Sequence, residues 1–454
     1  MAFPKRLLLA LRNHRFRWVL IGFLLLAVVP FYLYVTVVAA LYTQLDPGTH
    51  NDGRVYLDAA KALAGGRDPY AFFVHESARG VDPALEGSYI YPPLLAWAMR
   101  PLLLLGFTGE RVFMLAFEQL CLLLTFYFSV RAIGVRSRQR VAVFALLVLF
   151  FFPNWENMIQ LQINPLIGLG TTLWAYLWAR GRTLAALPLG VGVALKLLQA
   201  PLFLLPLLRR RWWDLALGAV TIAVLTAIAA PAYLAEYVTR VLPALSGGSP
   251  SLLNQSPAAV FIRLPHPRTL YISVHYSAPP LSIRLVVTGF AVAVLLVAAS
   301  RLLRTPREER GRLAEASLLV AASVLLSTIV WAPYTALLTL PLLLCLDHAW
   351  NRRDAVVGGL TAFFYLALGP FHLLFINAVG EHASGCLNVP PRYHCDPGVL
   401  YAILHDRFGG GWDLILQVWA VTGPLALIAL FAACLLVHRA VLAEPTEELQ
   451  PGIA

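Results

Sequence analysis

The stretch VLIGFLLLAVVPFYLYVTVVAA, residues 19–40, contains no charged side chain and is long enough to cross a membrane as one helix. It is too long for a removable signal peptide and lacks a small-residue cleavage site, so we expect it to remain as the first helix. Similar apolar runs recur along the 454 residues, for example at 215–230. With 59% hydrophobic and 13% charged residues, the composition excludes a soluble globular domain. The sequence predicts an all-α polytopic membrane protein.

Lys and Arg residues are concentrated in short clusters between the apolar runs. Cytoplasmic connections of membrane proteins carry an excess of these residues, so we expect every cluster on the cytoplasmic side. The clusters lie at 5–17, 136–140, 180–182, 209–211, 301–312, 352–353 and 438–439. The net charge of +11 is therefore a topology signal. Nucleic-acid binding needs a basic stripe interleaved with exposed aromatic residues, which this chain lacks, so we expect membrane lipids and no nucleic acid as partners.

The clusters divide the chain into segments. We predict a basic cytoplasmic segment at 1–17, one membrane domain at 18–439 and a cytoplasmic tail at 440–454. About twelve membrane helices place both termini inside, with outer loops at 41–108, 153–162, 232–280 and 379–412.

A single crossing between the clusters at 182 and 209 would leave one cluster on the wrong side. We therefore predict a hairpin of two short helices, 184–195 and 200–208, with Lys196, Gln199 and Pro201 near its tip. Arms of about 15 to 20 Å place that tip within the membrane depth.

The first outer loop contains HNDGRVYLDAAKALAGGRDPY, residues 50–70. Asp52 stands at an N-cap position, apolar residues follow at helical spacing, and two glycines stop the pattern, which predicts a short interfacial helix. A second, more apolar surface helix is expected at 92–105, before a membrane helix at about 111–131. An Asp just outside a membrane helix suits a carboxylate that works at the bilayer surface.

The order of these motifs resembles the opening of the polyprenol-phosphate-mannose-dependent mannosyltransferases, the family 87 membrane glycosyltransferases of GT-C architecture. The matching residues of the first loop are Asp52, Tyr56, Ala59-Ala60, Gly65-Gly66, Pro69-Tyr70, Tyr91-Pro92-Pro93 and Pro101. Further along, Gln162-Ile163-Asn164 is similar to the family's Gly-Gln-Val-Asn element, with Leu161 in place of Gly.

Three later segments extend the resemblance. Residues 179–213 are similar to a Gly-rich run that ends in Lys-x-x-Pro and Arg-Arg-x-Trp, with one extra residue between Lys196 and Pro201. Asn254-Gln255-Ser256, followed by Arg263, resembles the family's Asn-Gln-Ser loop. Residues 327–341 depart from the expected Ser-Pro-x-Ser-Trp and its following histidines, because only Trp331 and Pro333 are kept and Tyr334 comes next. What replaces those histidines is left open.

The resemblance implies a GT-C-like bundle that transfers a sugar, with mannose favoured, from a polyprenyl phosphate to a hydroxyl of a lipid-linked or glycan acceptor. Inversion at the anomeric carbon, a site on the outer face of a bacterial plasma membrane, and no cofactor or metal are expected. Asp52 is the candidate base. The cations expected to bind the leaving phosphate are Lys196, Arg263, Arg54 and His266. The other expected substrate-binding residues are Tyr56, Tyr91, Gln162, Asn164 and Asn254.

Each assignment has an alternative. Asp52 is also a good N-cap residue, and Asp46 and Asp58 are rival bases, although Asp58 would face away from Asp52 on a helix. Lys196 could snorkel toward the interface, and Tyr91 could belong to an aromatic belt. A pentose or glucose donor would need the same base and phosphate-binding groups.

Other functional classes have less support. A secondary transporter or lipid flippase is the main alternative, but we find no convincing internal repeat. No nucleotide-binding or zinc-protease motif occurs, and the five cysteines lack metal-ligand spacing. Cys386 and Cys395 share an outer loop and would permit either a disulfide or a site with His382 and His394.

Overall fold

A computed structural model of the chain describes residues 14–34, 36, 41, 51–71, 89–229, 231–266, 279–303, 308–374, 405–406 and 409–443. Every regular element in these ranges is helical. The all-α polytopic class predicted from composition is confirmed. Asp46, Cys386, Cys395, His382 and His394 lie outside the described residues, as do both termini.

Seventeen segments are numbered here in chain order. They are α1 (His14–Leu33), α2 (Asp52–Ala64), α3 (Pro93–Met99), α4 (Gly106–Ile133), α5 (Arg138–Leu149), α6 (Phe152–Gln160), α7 (Asn164–Ala179), α8 (Ala186–Leu195), α9 (Leu204–Leu208), α10 (Trp212–Ile228), α11 (Leu242–Ser246), α12 (Pro257–Arg263), α13 (Leu281–Leu302), α14 (Glu309–Leu325), α15 (Thr339–Arg352), α16 (Ala355–Leu368) and α17 (Gly410–Ala443). Short 3₁₀ segments connect several of them, at Arg100–Leu105, Thr183–Ala185, Leu197–Phe203, Pro231–Tyr233 and Ala332–Leu338.

Five helical stretches among the described residues are long and apolar enough to cross a membrane, or seven if each of two bent helix pairs forms one span. This number is lower than the predicted twelve or so. The difference lies in short apolar segments such as 183–195 and 197–208, which have fewer than the roughly 20 residues that a full crossing requires.

The core is built around α14. Nearly every residue of this helix from Gly311 to Leu325 is buried, including a run of Ala and Ser residues that lets neighbouring helices approach closely. α7 and α17 pack against it, and Trp174 and Trp178 of α7 are fully buried in the same apolar cluster. A helix that is apolar on all sides is stable only when it is enclosed in this way.

The cationic clusters meet at one end of the bundle, where they pair with acids that are buried or, at Glu309, exposed. Arg140 Nη1 lies 2.8 Å from Asp347 Oδ1, and Arg180 Nη2 lies 3.0 Å from Glu309 Oε1. Arg209 pairs with Glu315, a residue of the buried helix α14. The clusters at 136–140, 180–182, 209–211 and 301–312 therefore lie at the same end of the bundle. This is expected if all four lie on the same side of the membrane.

The hairpin predicted between these clusters is present. α8 ends at Lys196, whose extended backbone (φ −156°, ψ 117°) breaks the helix, and the chain continues through Leu197–Phe203 and α9. Arg211 Nη2 donates a hydrogen bond to the Gly181 carbonyl at 3.2 Å, so the segment returns to the end where it began. The second arm begins as a 3₁₀ segment at Leu197 and becomes α-helical only in α9.

Both surface helices predicted within the segment 41–108 are present among the described residues. The first is α2, and the second is α3 with the 3₁₀ segment Arg100–Leu105. α2 packs against α3, and the Tyr70 hydroxyl donates to the Tyr91 carbonyl at 2.6 Å. These contacts hold the loop over the end of the bundle opposite the cationic clusters, since α7 separates the two ends by about 24 Å at 1.5 Å per residue.

Candidate active site

Asp52 is the first residue of α2, and Asn51 is the N-cap. The Asn51 side chain accepts a hydrogen bond from the Arg54 N–H at 3.0 Å, and its amide donates to the Ile159 carbonyl at 3.3 Å. The N-cap interpretation of Asp52 is therefore wrong. Because Asn51 satisfies the helix terminus, the half-buried carboxylate of Asp52 is left for another partner.

That partner is presented by a strained turn. α6 ends at Gln160, and Leu161 adopts a left-handed conformation (φ 48°, ψ 53°) that favours glycine. The family element named above has Gly here, so the structure explains the preference. The Leu161 side chain packs onto Gly53, where a Cβ atom would lie 2.5 Å from the Leu161 Cβ. Because Gly53 has no side chain, α2 can pack closely against the turn that carries Gln162.

A chain of polar side chains connects Asp52 to the hairpin tip. Gln162 donates from Nε2 to Asp52 Oδ2 and accepts from Asn164 Nδ2. Lys196 Nζ donates to Asn164 Oδ1 at 2.7 Å. Four residues from three separate segments therefore join a carboxylate to an ammonium group through two amides, and such buried networks orient every member.

Asn157 anchors this network. Its Oδ1 accepts from Asn164 Nδ2 at 3.0 Å, and its own amide donates to the Pro333 carbonyl at 2.9 Å. Sequence reasoning missed this residue. The available signal was the group of polar residues in this short segment, which also contains Asn154, Glu156 and Gln160.

Lys196 is enclosed by aromatic rings. It is 7% exposed, and Nζ lies 3.4 Å from the centre of the Tyr334 ring and 5.3 Å from that of Tyr91. Rings attract a cation through their negative faces. The side chain therefore points inward, and the snorkelling interpretation is wrong. Tyr334, in the segment where the resemblance leads us to expect histidines, supplies an aromatic wall, a role that the sequence did not indicate.

A cavity of about 340 Å³ opens at Lys196. Tyr91 and Tyr334 line it beside the ammonium group, and Leu197, Leu242 and Leu245 contribute apolar walls. An ammonium group has three donors, and among the described residues Lys196 uses one, on Asn164. The cavity therefore offers a cation with remaining donors next to an apolar surface.

The electrostatics suit proton transfer. α2 lies outside the candidate membrane spans, and burial raises the pKa of Asp52 to about 6, with nearby Lys196 and the Gln162 hydrogen bond opposing the increase. At neutral pH the group is thus mostly a carboxylate whose pKa lies near the working pH, as a general base requires. Burial raises the pKa of Tyr56 and of Tyr91 well above the usual range, so both remain neutral hydroxyls. The two rings pack edge to face, 5.0 Å apart.

Arg54 and His266 make contacts on other parts of the chain. Arg54 Nε lies 3.5 Å from Asp58 Oδ2, and the exposed Asp58 also pairs with Lys61 at 3.2 Å. Asp58 thus faces away from Asp52, as expected. His266 is half-buried just after α12, where its N–H donates to the Arg263 carbonyl at 3.0 Å. Substrate contacts for Arg54 and His266 stay predictions.

Arg263 and Asn254 organise a loop. Arg263 donates to the carbonyls of Pro250, Ser251, Asn254 and Ala420 at 2.6 to 3.0 Å. Asn254 donates to the Thr328 carbonyl at 2.9 Å and accepts from the Val330 N–H at 2.9 Å. Since Thr328 lines the cavity at Lys196, both residues position its wall. Their direct contact with substrate stays a prediction.

Sequence comparison identifies related arabinofuranosyltransferases. An alpha-(1->3)-arabinofuranosyltransferase of Corynebacterium glutamicum is 30% identical over 172 residues, which cover 36% of this chain and 40% of that protein. Proteins of the same name from two Mycobacterium tuberculosis strains are 29% identical over 175 residues, or 37% of this chain and 39% of theirs. The chain thus matches about two fifths of the length of these curated relatives.

The sequence profile described as Glycosyltransferase family 87 matches residues 89–328, more than half of the 454 residues. The matched region contains Gln162, Asn164 and Lys196 together with the loop around Asn254, and it begins after Asp52. This chain belongs to glycosyltransferase family 87.

Proposed function

We propose that this protein is an inverting membrane glycosyltransferase that moves a sugar from a polyprenyl phosphate to the hydroxyl of a lipid-linked or glycan acceptor. The observation that carries the proposal is the linked pair of Asp52 and Lys196, held by Gln162 and Asn164 beside an apolar cavity. A base and a phosphate-binding cation in one network are the groups that such a transfer needs. Family membership favours this chemistry over a transporter or flippase.

The reaction follows from the positions of these groups. The acceptor hydroxyl gives its proton to the Asp52 carboxylate as its oxygen bonds to the anomeric carbon of the donor sugar. The bond from that carbon to the phosphate oxygen breaks, and the polyprenyl phosphate leaves with the electron pair. One displacement on the face opposite the leaving group inverts the anomeric centre. Lys196 stabilises the developing phosphate charge in a site that contains little water.

The cavity at Lys196 suits a lipid donor. Its ammonium and aromatic end matches a phosphate and a sugar, and its wall of leucines matches the first prenyl units. Lys196 also lies at the tip of a re-entrant hairpin, where a lipid phosphate can arrive from within the bilayer. A protein that uses such a donor needs no nucleotide-binding domain.

The donor sugar is proposed from two sources. The sequence resemblance favours mannose, whereas the matched relatives are named arabinofuranosyltransferases. Transfer of either sugar would release the same polyprenyl phosphate. We therefore propose the identity of the leaving group and not that of the sugar. The charge asymmetry between the two ends of the bundle supports a site on the outer face of a bacterial plasma membrane.

Transfer from synthetic donors tests the proposal. Purified full-length protein in liposomes is given radiolabelled mannose, glucose or arabinofuranose on a polyprenyl phosphate, with membrane lipid extract as acceptor. We expect one donor to give a labelled product whose anomeric configuration is opposite to that of the donor. Retention of configuration would contradict single displacement, and transfer from a nucleotide sugar alone would contradict the donor class.

A further inference from the structure

A second cavity, of about 300 Å³, adjoins the polar network at its other end. Gln162, which donates to Asp52, forms part of its wall together with Ile163 and Leu195. It shares no lining residue with the cavity at Lys196. The polar network therefore borders two separate cavities, one lined by Lys196 and the other by Gln162, the amide that donates to Asp52.

Apart from Gln162, the lining of the second cavity is apolar except for one acid. Leu95, Leu102, Met114 and Leu166 contribute to its walls, and Glu118 of α4 projects into it. Glu118 is 4% exposed, and neither carboxyl oxygen has a hydrogen-bond partner among the described residues. A buried acid without a partner is costly, and such groups are normally satisfied by a neighbour, a water or a ligand.

The second cavity opens at the side of the helix bundle. Ala98, Phe113 and Phe117 line it and are also exposed. The two phenylalanines lie on α4, which forms part of the longest candidate membrane span, so we expect lipid to cover their exposed faces. A molecule with an apolar body can therefore enter the cavity directly from the bilayer.

We propose that this second cavity binds the acceptor, and that the acceptor is a glycolipid rather than a soluble glycan. Its apolar part occupies the cavity, one sugar hydroxyl donates to Glu118, and another reaches Asp52. The inference rests on the proposed function. It also fits single displacement, in which the attacking and leaving oxygens lie on opposite sides of the anomeric carbon.

Binding can be tested without turnover. The probe is octyl α-mannopyranoside with a diazirine in its alkyl chain, photolysed with the full-length protein in liposomes and mapped by mass spectrometry. We expect cross-links to α4 that unmodified octyl mannoside competes away. Filling the cavity by Leu102→Trp should reduce them at least fivefold, whereas the matched control Leu104→Trp, on the same turn at an 89% exposed position, should not.

Cross-links that Leu102→Trp leaves unchanged, or that map only outside the cavity, would overturn the proposal. This result does not depend on the donor or on catalysis. If no polyprenyl-phosphate sugar is used, the proposed function fails, and the photolabelling still decides whether the cavity binds an amphiphile.

Kinetics with octyl mannoside as acceptor give a second test. Loss of one hydrogen bond corresponds to a few-fold to about tenfold in binding, so Glu118→Leu should raise the acceptor KM by that factor and leave the donor KM unchanged. Glu118→Gln keeps an acceptor atom and should show a smaller increase. Leu245→Trp, which fills the cavity at Lys196, should instead raise the donor KM.

A merely structural role for Glu118 would change both KM values together or lower the yield of folded protein. Equal use of a soluble oligosaccharide and octyl mannoside, with no effect of Glu118→Leu on the acceptor KM, would overturn the glycolipid assignment while leaving transfer itself established.

Discussion

Asp52 and Gln162 are separated by 110 positions, yet their side chains share a hydrogen bond. The contact gives Asp52 a defined orientation, and burial places the pKa of its carboxyl at about 6. Asn51 and not Asp52 caps α2, so changes at Asp52 test chemistry with little effect on the helix. Three predictions concern Asp52 and Lys196, which Gln162 and Asn164 link to each other.

Asp52→Asn should lower kcat by about 10² to 10⁴-fold, because the amide cannot accept the hydroxyl proton. The helix cap is untouched, so expression and thermal stability should match wild type. Turnover of synthetic donor in liposomes is the measurement. Asp58→Asn on the exposed face of α2 is the matched control and should retain activity. Normal turnover by Asp52→Asn would exclude Asp52 as the base.

The pH dependence follows from the raised pKa of Asp52. The carboxylate is the active form, so kcat/KM should be lost as pH falls through about 6 and should level off above it. Because the charge of Lys196 lowers the Asp52 pKa, Lys196→Met should move this acid limb to higher pH. A limb that stays in place in the variant would show that the titrating group is not Asp52.

Lys196→Met should raise the donor KM and lower kcat, because the cation acts on the leaving phosphate, while the acceptor KM stays within about twofold. Both constants are obtained from initial rates with one substrate saturating. Lys196→Arg keeps the charge and should retain more activity than the Met variant. Equal loss toward donor and acceptor would favour a structural role for this residue.

At the scale of elements, the fit of α2 against the end of α6 depends on one glycine. Gly53→Ala places a Cβ atom 2.5 Å from the Leu161 Cβ, so one of the two segments must move. A shift of about 1 Å at the base can cost on the order of 10²-fold in rate. We therefore expect Gly53→Ala to lower kcat strongly while the protein remains folded.

The double variant Gly53→Ala, Leu161→Gly supplies the control. Removing the Leu161 side chain clears the contact and replaces a left-handed Leu with the residue that this conformation favours. Activity should recover relative to the single variant when both are assayed side by side. No recovery would mean that Gly53→Ala acts through something other than this packing contact.

For the whole molecule, the arrangement of charge predicts which end lies in the cytoplasm. In a cysteine-free background, Ala64→Cys and Ser246→Cys lie at exposed positions on the proposed outer side. Thr183→Cys and Trp212→Cys are exposed at the two ends of the hairpin segment. An impermeant thiol reagent should label the first pair in intact cells and the second pair only after permeabilisation. Opposite results for Thr183 and Trp212 would contradict the re-entrant hairpin.

Composition and spacing determined the class, the grouping of the cationic clusters at one end and the surface helices, since these depend on local periodicity and on the cost of placing charge in lipid. The cluster at 180–182 and the cluster at 209–211 could even be assigned to one end before any contact was known. Asp52 and Lys196 were selected in the same way, because charged residues beside or within apolar segments are conspicuous.

Only the tertiary structure decided how these groups act. The roles of Asn51, Asn157 and Tyr334 depend on contacts made across the fold, such as the 2.9 Å bond from Asn157 to the Pro333 carbonyl, and no local pattern encodes a partner 176 positions away. The two cavities have the same origin, because each is lined by residues from several separate segments. Burial and proximity are properties of the packed chain, and they turn one carboxylate, one cation and two amides into a single site.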